Sequence, residues 1–252
     1  MTKMCFGSSF CPVYLVVSKK CRTFVPDIRI VTMKAFFFDM DGTLFDSMPR
    51  HARAWEQVMA EHGLSFPQVE CFRNEGRTGA DVIAHAIRTT FHREPSEEEI
   101  RSIYQEKTER FRTEGDTLPI PGVAELLRYL HERRDIWIGI VTGSGQQSLF
   151  DTLNRWFPAV FARERMITAF DVTRGKPDPE PYIKAWQRSG LPKADCFVVE
   201  NAPLGVRSAK AAGLTCYAVN TGPLPDADLW NERADKVFPD MKTFYEYLKT
   251  NL

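Results

Sequence analysis

From residue 35 onward, short apolar runs alternate with amphipathic segments, and this alternation leaves the chain few folds to choose from. The runs are AFFFD (35–39), IWIGIV (136–141), MITAF (166–170), CFVVE (196–200) and LTCYAV (214–219), with a weaker KVF at 236–238. Between them, apolar residues recur at helical spacing near 122–134, 145–156, 179–189, 203–212 and 241–249. Strands that are apolar throughout must be covered on both faces, and strands separated by helices pair in parallel. The expected core is an α/β, Rossmann-like parallel sheet with helices on both faces. Helix punctuation agrees: Ser144 with Gln147 forms a capping-box pattern, Pro179 and Pro203 suit first-turn positions, and Gly213 suits a C-terminal cap.

The gap between the first two runs is too long for one crossover. Residues 49–118 read as helices only, at 51–62, 79–92 and 97–112, the last opened by Ser96 with Glu99 as a capping box. Prolines in MPRH and LPIPGV bracket this stretch. An all-helical cap domain over 49–118 is therefore expected, inserted into a core domain made of 33–48 and 119–252. Residues 1–32 show neither period; they read as a disordered extension, or as residues ahead of a true start at Met33. Their longest apolar run, Val13 to Val17, is too short to cross a bilayer. Lys+Arg and Asp+Glu both total 33, so no basic excess points to nucleic acid or a membrane as partner. Cys71, Cys196 and Cys216 lie in core-like contexts without a CxxC pair and read as buried thiols of a cytoplasmic protein. A monomer is expected.

In an open parallel sheet, ligands bind beyond the carboxyl ends of the strands. Those ends carry Asp39, Asp41 and Gly42 after the first run, Thr142, Gly143 and Ser144 after the second, Lys176 after the third, and Glu200 with Asn201 after the fourth. Oxygen ligands, one fixed cation and the exposed amides of a helix start together suit a metal-bound phosphate. Residues i and i+2 of a strand share a face, so Asp39 and Asp41 can address one substrate. One carboxylate can attack phosphorus, and the other can protonate the leaving oxygen and later deprotonate water. Two anions facing a phosphate repel unless a hard cation lies between them; Mg²⁺, held by Asp39, a carbonyl near Asp41 and Asn201, meets that need. Thr142 and the 143–145 amides would hold the phosphoryl oxygens, and Lys176 would offset their charge. Each feature also has a plain reading: Asp-Gly as a turn, Thr142 and Ser144 as caps, Lys176 as a solvated loop lysine.

DMDGTLFDS, VTGSG, GKPDPEPY and VVENAPLGVRSAKAAG resemble motifs one to four of the haloacid dehalogenase-like phosphatase superfamily, across residues 34–240. The resemblance implies a nucleophile at Asp39, an acid/base at Asp41, phosphate binding by Thr142 and Lys176, and Mg²⁺ at Asp39, Asp41 and the fourth motif. The helical insert resembles the cap of the β-phosphoglucomutase-like subgroup. Many members of that subgroup have Glu-Asp where this chain has Glu200-Asn201, so one negative charge is missing.

Substrate choice should lie in the cap. One helix aligns His51, Trp55, Val58 and His62, and another aligns Ile100, Ile103, Tyr104, Lys107 and Phe111. Lys107 either reaches the cleft or snorkels to solvent; His51 is either a site residue or a surface residue at a helix start. In NEGRTGAD (74–81), Thr78 is the expected helix cap. Aligned with a β-phosphoglucomutase, Gly79 stands where an arginine binds the sugar's second phosphate, and Arg77 lies two residues earlier. EGRTG, ENAPLGV and VNTGPL look closer to a branch that includes an inorganic pyrophosphatase, where a cap glutamate helps hold the metal. Glu75 would then supply the charge missing at Asn201; its plain reading is a solvated loop carboxylate. The expected activity is a Mg²⁺-dependent phosphohydrolase acting on a small phosphorylated substrate, pyrophosphate first. The alternatives are a sugar phosphomutase and a non-catalytic phosphate-binding regulatory protein.

Overall fold

The computed structural model describes residues 32–113, 115–145 and 149–252. Six strands, β1 (Lys34–Phe38), β2 (Ile136–Val141), β3 (Met166–Ile167), β4 (Cys196–Glu200), β5 (Thr215–Val219) and β6 (Lys236–Phe238), form one sheet in the order β3-β2-β1-β4-β5-β6. Every neighbouring pair is parallel. The chain runs outward from β1 through β2 to β3, then returns to β4 on the other side of β1. This reversal opens a crevice at the carboxyl ends of β1 and β4, the place where doubly wound sheets bind ligands.

Alternation along β1 explains both layers. Phe36 and Phe38 pack with Leu126, Leu127 and Leu130 of α5 (Val123–Glu132), Leu153 of α6 (Leu149–Trp156), and Phe244 and Leu248 of α10 (Met241–Asn251). Ala35 and Phe37 face the opposite layer, with Tyr182 of α7 (Glu180–Ser189), Val206 of α8 (Pro203–Ala211) and Leu229 of α9 (Asp226–Asn231). Phe36, Phe37 and Phe38 are completely buried, and burial of each side chain contributes roughly 1.5–3 kcal/mol. Between β1 and α5 lie four helices, α1 (Met48–Glu61), α2 (Gln68–Arg73), α3 (Gly79–Phe91) and α4 (Glu97–Thr113). They enclose a separate apolar cluster that includes Trp55, Val58, Met59, Ile83, Ile87 and Ile103.

Several expectations shift at their edges. The third run pairs only at Met166–Ile167, because the Thr168 amide and hydroxyl both bond Asp171 Oδ2 at 2.8 Å and turn the chain out of the sheet. α1 begins three residues earlier than its period implied, with Pro49 in its first turn, where a missing N–H costs nothing. α2 and α9 were not expected: at six residues each, they are too short to show a period. The Ser96–Glu99 capping box is present in both directions, at 2.8 and 3.1 Å, and Thr78 caps α3 through the Asp81 amide. Gly213 follows α8 at φ +74°. Gln147 of the other capping box, and all of the N-terminal stretch but Thr32, lie outside the described residues. Among the described residues, no helix is long and apolar enough to cross a membrane.

Candidate active site

The strand ends converge on a cavity of about 80 Å³ whose walls include Asp39, Asp41, His51, Glu75, Arg77, Lys107, Thr142, Gly143 and Ser144. Sheet register explains the convergence: Phe38 pairs with Ile140 on one side and Val199 on the other, so the residues that follow each strand emerge at one level.

Asp39 is buried at the end of β1, its amide bonded to the Val199 carbonyl at 2.9 Å. Lys176 reaches it from the loop before α7 and is 1 % exposed, so it is no solvated loop lysine. Its Nζ donates to Asp39 Oδ1 at 2.6 Å, Glu200 Oε1 at 2.6 Å and the Val141 carbonyl at 3.0 Å. Three donors meet three acceptors, which saturates the ammonium. Burial alone would lower the Lys176 pKa, but the Asp39 and Glu200 charges outweigh it and hold the group protonated. Glu200 is saturated as well. Oε1 also accepts from Tyr182 Oη at 2.7 Å, and Oε2 accepts from the Asn201 and Ala202 amides at 3.1 and 3.3 Å.

Gly42 lets the chain turn sharply beside these groups, at φ +72°. A Cβ there would also collide with Asn201 Nδ2 and Glu75 Oε1. Those two atoms are themselves bonded at 2.8 Å, and Thr43 Oγ1 donates to Asn201 Oδ1 at 2.9 Å. Glu75 is 8 % exposed and therefore not a solvated loop carboxylate.

Asp41 faces the helical insert. Ser47 Oγ donates to its Oδ1 at 2.6 Å, and His51 Nε2 lies 3.3 Å from the same oxygen. His51 Nδ1 in turn lies 2.6 Å from Lys107 Nζ, and the imidazole stacks on Phe111 at 4.0 Å. Lys107 does not snorkel: it is 5 % exposed, with its ammonium over the rings of Trp55 and Phe111. Burial opposes ionisation of Asp41, but His51, Ser47 and Lys107 outweigh it and hold the carboxyl below its usual range. Burial and Lys107 keep His51 neutral, against the pull of Asp41. Neutral His51 then accepts from Lys107 at Nδ1 and donates through Nε2–H to Asp41.

Thr142 Oγ1 accepts the Ser144 amide at 3.0 Å, and Tyr104 of α4 lines the same cavity. Arg77 lines the cleft half-buried, with Nε donating to Asn74 Oδ1 at 3.0 Å. The helical insert closes tightly on the Thr142 loop: a Cβ on Gly143 would stand 2.8 Å from the carbonyls of Gly76 and Arg77.

Thr43, Ser47, Tyr104 and Tyr182 belong to this constellation but were not singled out from sequence. Thr43 and Ser47 lie inside DMDGTLFDS and Tyr182 inside GKPDPEPY, so motif membership was an available signal. Tyr104 was visible only as a member of an apolar stripe.

Two observations fit a divalent cation here. Asp39 Oδ2 is buried with no hydrogen-bond partner among the described residues. Asp39 and Glu75 are both pushed well above the ordinary carboxylate range, first by burial and then by neighbouring carboxylates, with Lys176 and Asn201 opposing them. A buried cluster of oxygens short of positive charge is the donor set that Mg²⁺ prefers.

The family model for haloacid dehalogenase-like hydrolases matches residues 33–213. Hexitol phosphatase A of Escherichia coli (strain K12) is 36% identical over 187 residues, covering 74% of this chain and 83% of that protein. A fructose-1-phosphate phosphatase of the same organism is 29% identical over 185 residues, with coverage of 72% and 94%. A β-phosphoglucomutase-like protein from Bacteroides vulgatus superposes with a TM-score of 0.83 at 43% identity, covering 87% of this chain and 89% of that one. Motif order, sheet topology and strand-end chemistry agree with these matches, and the chain belongs to the haloacid dehalogenase-like hydrolase family, on its β-phosphoglucomutase-like side.

Proposed function

We propose that the chain is a Mg²⁺-dependent phosphohydrolase that works through an aspartyl phosphate on Asp39, with the helical insert as its cap and pyrophosphate as its first substrate. The observation that carries this reading is the convergence of Asp39, Asp41 and Thr142 on one small cleft, with Lys176 bonded to Asp39. Asp39, the carbonyl of Asp41, Asn201 and Glu75 would hold the cation, while Glu200 braces Lys176 and the Asn201 loop. The bound cation would supply charge neutralisation for the carboxylates and the phosphoryl oxygens.

A carboxylate oxygen of Asp39 attacks phosphorus, and the bond from phosphorus to the leaving oxygen breaks. Asp41 delivers a proton to the leaving group where one is needed, then takes a proton from the water that attacks the acyl phosphate and frees Asp39. Lys176, fixed on Asp39, offsets the charge on the phosphoryl oxygens, and Thr142 with its loop orients them. His51 and Lys107 hold Asp41 ionised in the resting site, which suits a leaving group that needs little protonation, as phosphate does. Compactness supports the same substrate: about 80 Å³ is far below the roughly 300–1,000 Å³ of sites for larger ligands.

A second reading, a carbohydrate-phosphate phosphatase or a sugar phosphomutase, is favoured by the substrates named for the two Escherichia coli relatives and by the Bacteroides vulgatus neighbour. A phosphate-release panel with Mg²⁺ decides between them, using pyrophosphate, hexitol phosphates, fructose 1-phosphate and β-glucose 1-phosphate. Pyrophosphate should give the highest kcat/KM; efficient conversion of β-glucose 1-phosphate to glucose 6-phosphate would overturn the hydrolase reading.

A further inference from the structure

Tyr104 has a placement that the proposed chemistry does not use. It projects from α4 between Ile103, buried in the insert's own core, and Lys107, buried against His51, so the register of the helix fixes its direction. Its ring lies against the backbone of Gly79 at the start of α3, where a Cβ would collide with Cε2 and Cδ2. Thr142 and Gly143 line the same cavity as Tyr104. One aromatic side chain thus forms a wall of the cavity beside Gly79 and Lys107.

We propose that Tyr104 determines specificity by excluding leaving groups larger than a phosphate, with Gly79 as the residue whose missing side chain lets the ring stand there. This inference rests on the reading of the site as a pyrophosphate-preferring hydrolase and names the residue responsible for the preference. A planar ring seated against a glycine is a stiff barrier: moving it unseats it from Gly79. Sugar and polyol phosphates carry their bulk on the leaving oxygen, so they meet the wall, whereas a diphosphate ends before it.

The test compares kcat/KM for pyrophosphate and for fructose 1-phosphate in the full chain with Mg²⁺, for wild type, Tyr104→Phe, Tyr104→Leu and Tyr104→Ala, each first shown to unfold cooperatively. Tyr104→Ala should raise the ratio of fructose 1-phosphate to pyrophosphate by roughly ten- to a hundredfold, mainly through a lower KM for the sugar phosphate. Tyr104→Leu should fall between, and Tyr104→Phe, which keeps the ring, should stay within about twofold of the wild-type ratio. An unchanged ratio in both Tyr104→Leu and Tyr104→Ala overturns the proposal, as does an equal rise in Tyr104→Phe. The wild-type preference separately tests the pyrophosphate reading, and the change from wild type to variant tests the wall.

Discussion

Glu75 Oε1 accepts a 2.8 Å hydrogen bond from Asn201 Nδ2, tying a loop of the helical insert to the end of the central strand β4. An aspartate at 201 could not make this bond, because a carboxylate has no proton to offer a second carboxylate. The amide at 201 and the carboxyl group at 75 are therefore complementary as donor and acceptor. Asn201→Asp should destabilise the metal-free protein by about 1–3 kcal/mol, the cost of opposing an unsatisfied buried carboxylate to another. Added Mg²⁺ should raise the thermal midpoint of this variant more than that of wild type. Denaturation with EDTA and with excess Mg²⁺ reads both effects, and equal midpoint gains in the two proteins would show that no cation joins these side chains.

Lys176 pairs with both Asp39 and Glu200, each at 2.6 Å. Lys176→Met should cost about 3–5 kcal/mol at neutral pH, because it leaves buried carboxylates without their partner. Burial already raises the Asp39 pKa, and removing the ammonium takes away the charge that opposes that rise. The defect should therefore shrink as pH falls and Asp39 takes up a proton in the folded chain. Urea unfolding of both proteins at two pH values measures the difference.

The main features of the sheet and the core site were legible because they rest on local signals. Phe36 to Phe38 announce a doubly covered strand, and the strand ends place Asp39, Thr142, Lys176 and Asn201 at one level before any contact is known. The relations that cross between elements were not legible. Sequence left Lys107 balanced between solvent and cleft, since what decides it is the seat that Trp55 and His51 of α1 form together with Phe111 of its own helix. Glu200 stood as a metal candidate by motif; only three-dimensional packing brings Tyr182 and two loop amides onto its oxygens. Tyr104 read as one more apolar position because its meaning depends on the absence of a side chain at Gly79.

Gly42→Ala should be far more harmful than an ordinary loop substitution. The position has φ +72°, and its Cβ would push into the Glu75–Asn201 bond. Backbone strain of about 1–3 kcal/mol adds to displacement of two proposed cation ligands. Turnover should fall at least about tenfold, with the Mg²⁺ concentration for half-maximal activity rising in step. A variant with normal Mg²⁺ dependence would show that Gly42 serves only the turn.

Lys107 places a stability cost where a function is proposed. Burial pulls its pKa down to about 8 from an ordinary 10.5, although Cys71 and Asp41 pull the other way. Below pH 8 both folded and unfolded chains carry the proton, and the fold bears the full cost of an enclosed ammonium. Between about 8 and 10.5 the unfolded chain binds more protons than the folded one, so this cost disappears as pH rises. Lys107→Met removes it at every pH while keeping much of the volume against Trp55 and Phe111. The variant should be more stable than wild type by up to about 3 kcal/mol near neutrality, and the advantage should fade toward pH 10.5. Turnover should drop, since His51 loses the donor that fixes its tautomer toward Asp41. Paired urea melts at pH 7.5 and 10 check the sign: an advantage that stays constant or grows with pH would mean that the Lys107 ammonium is not strained by burial.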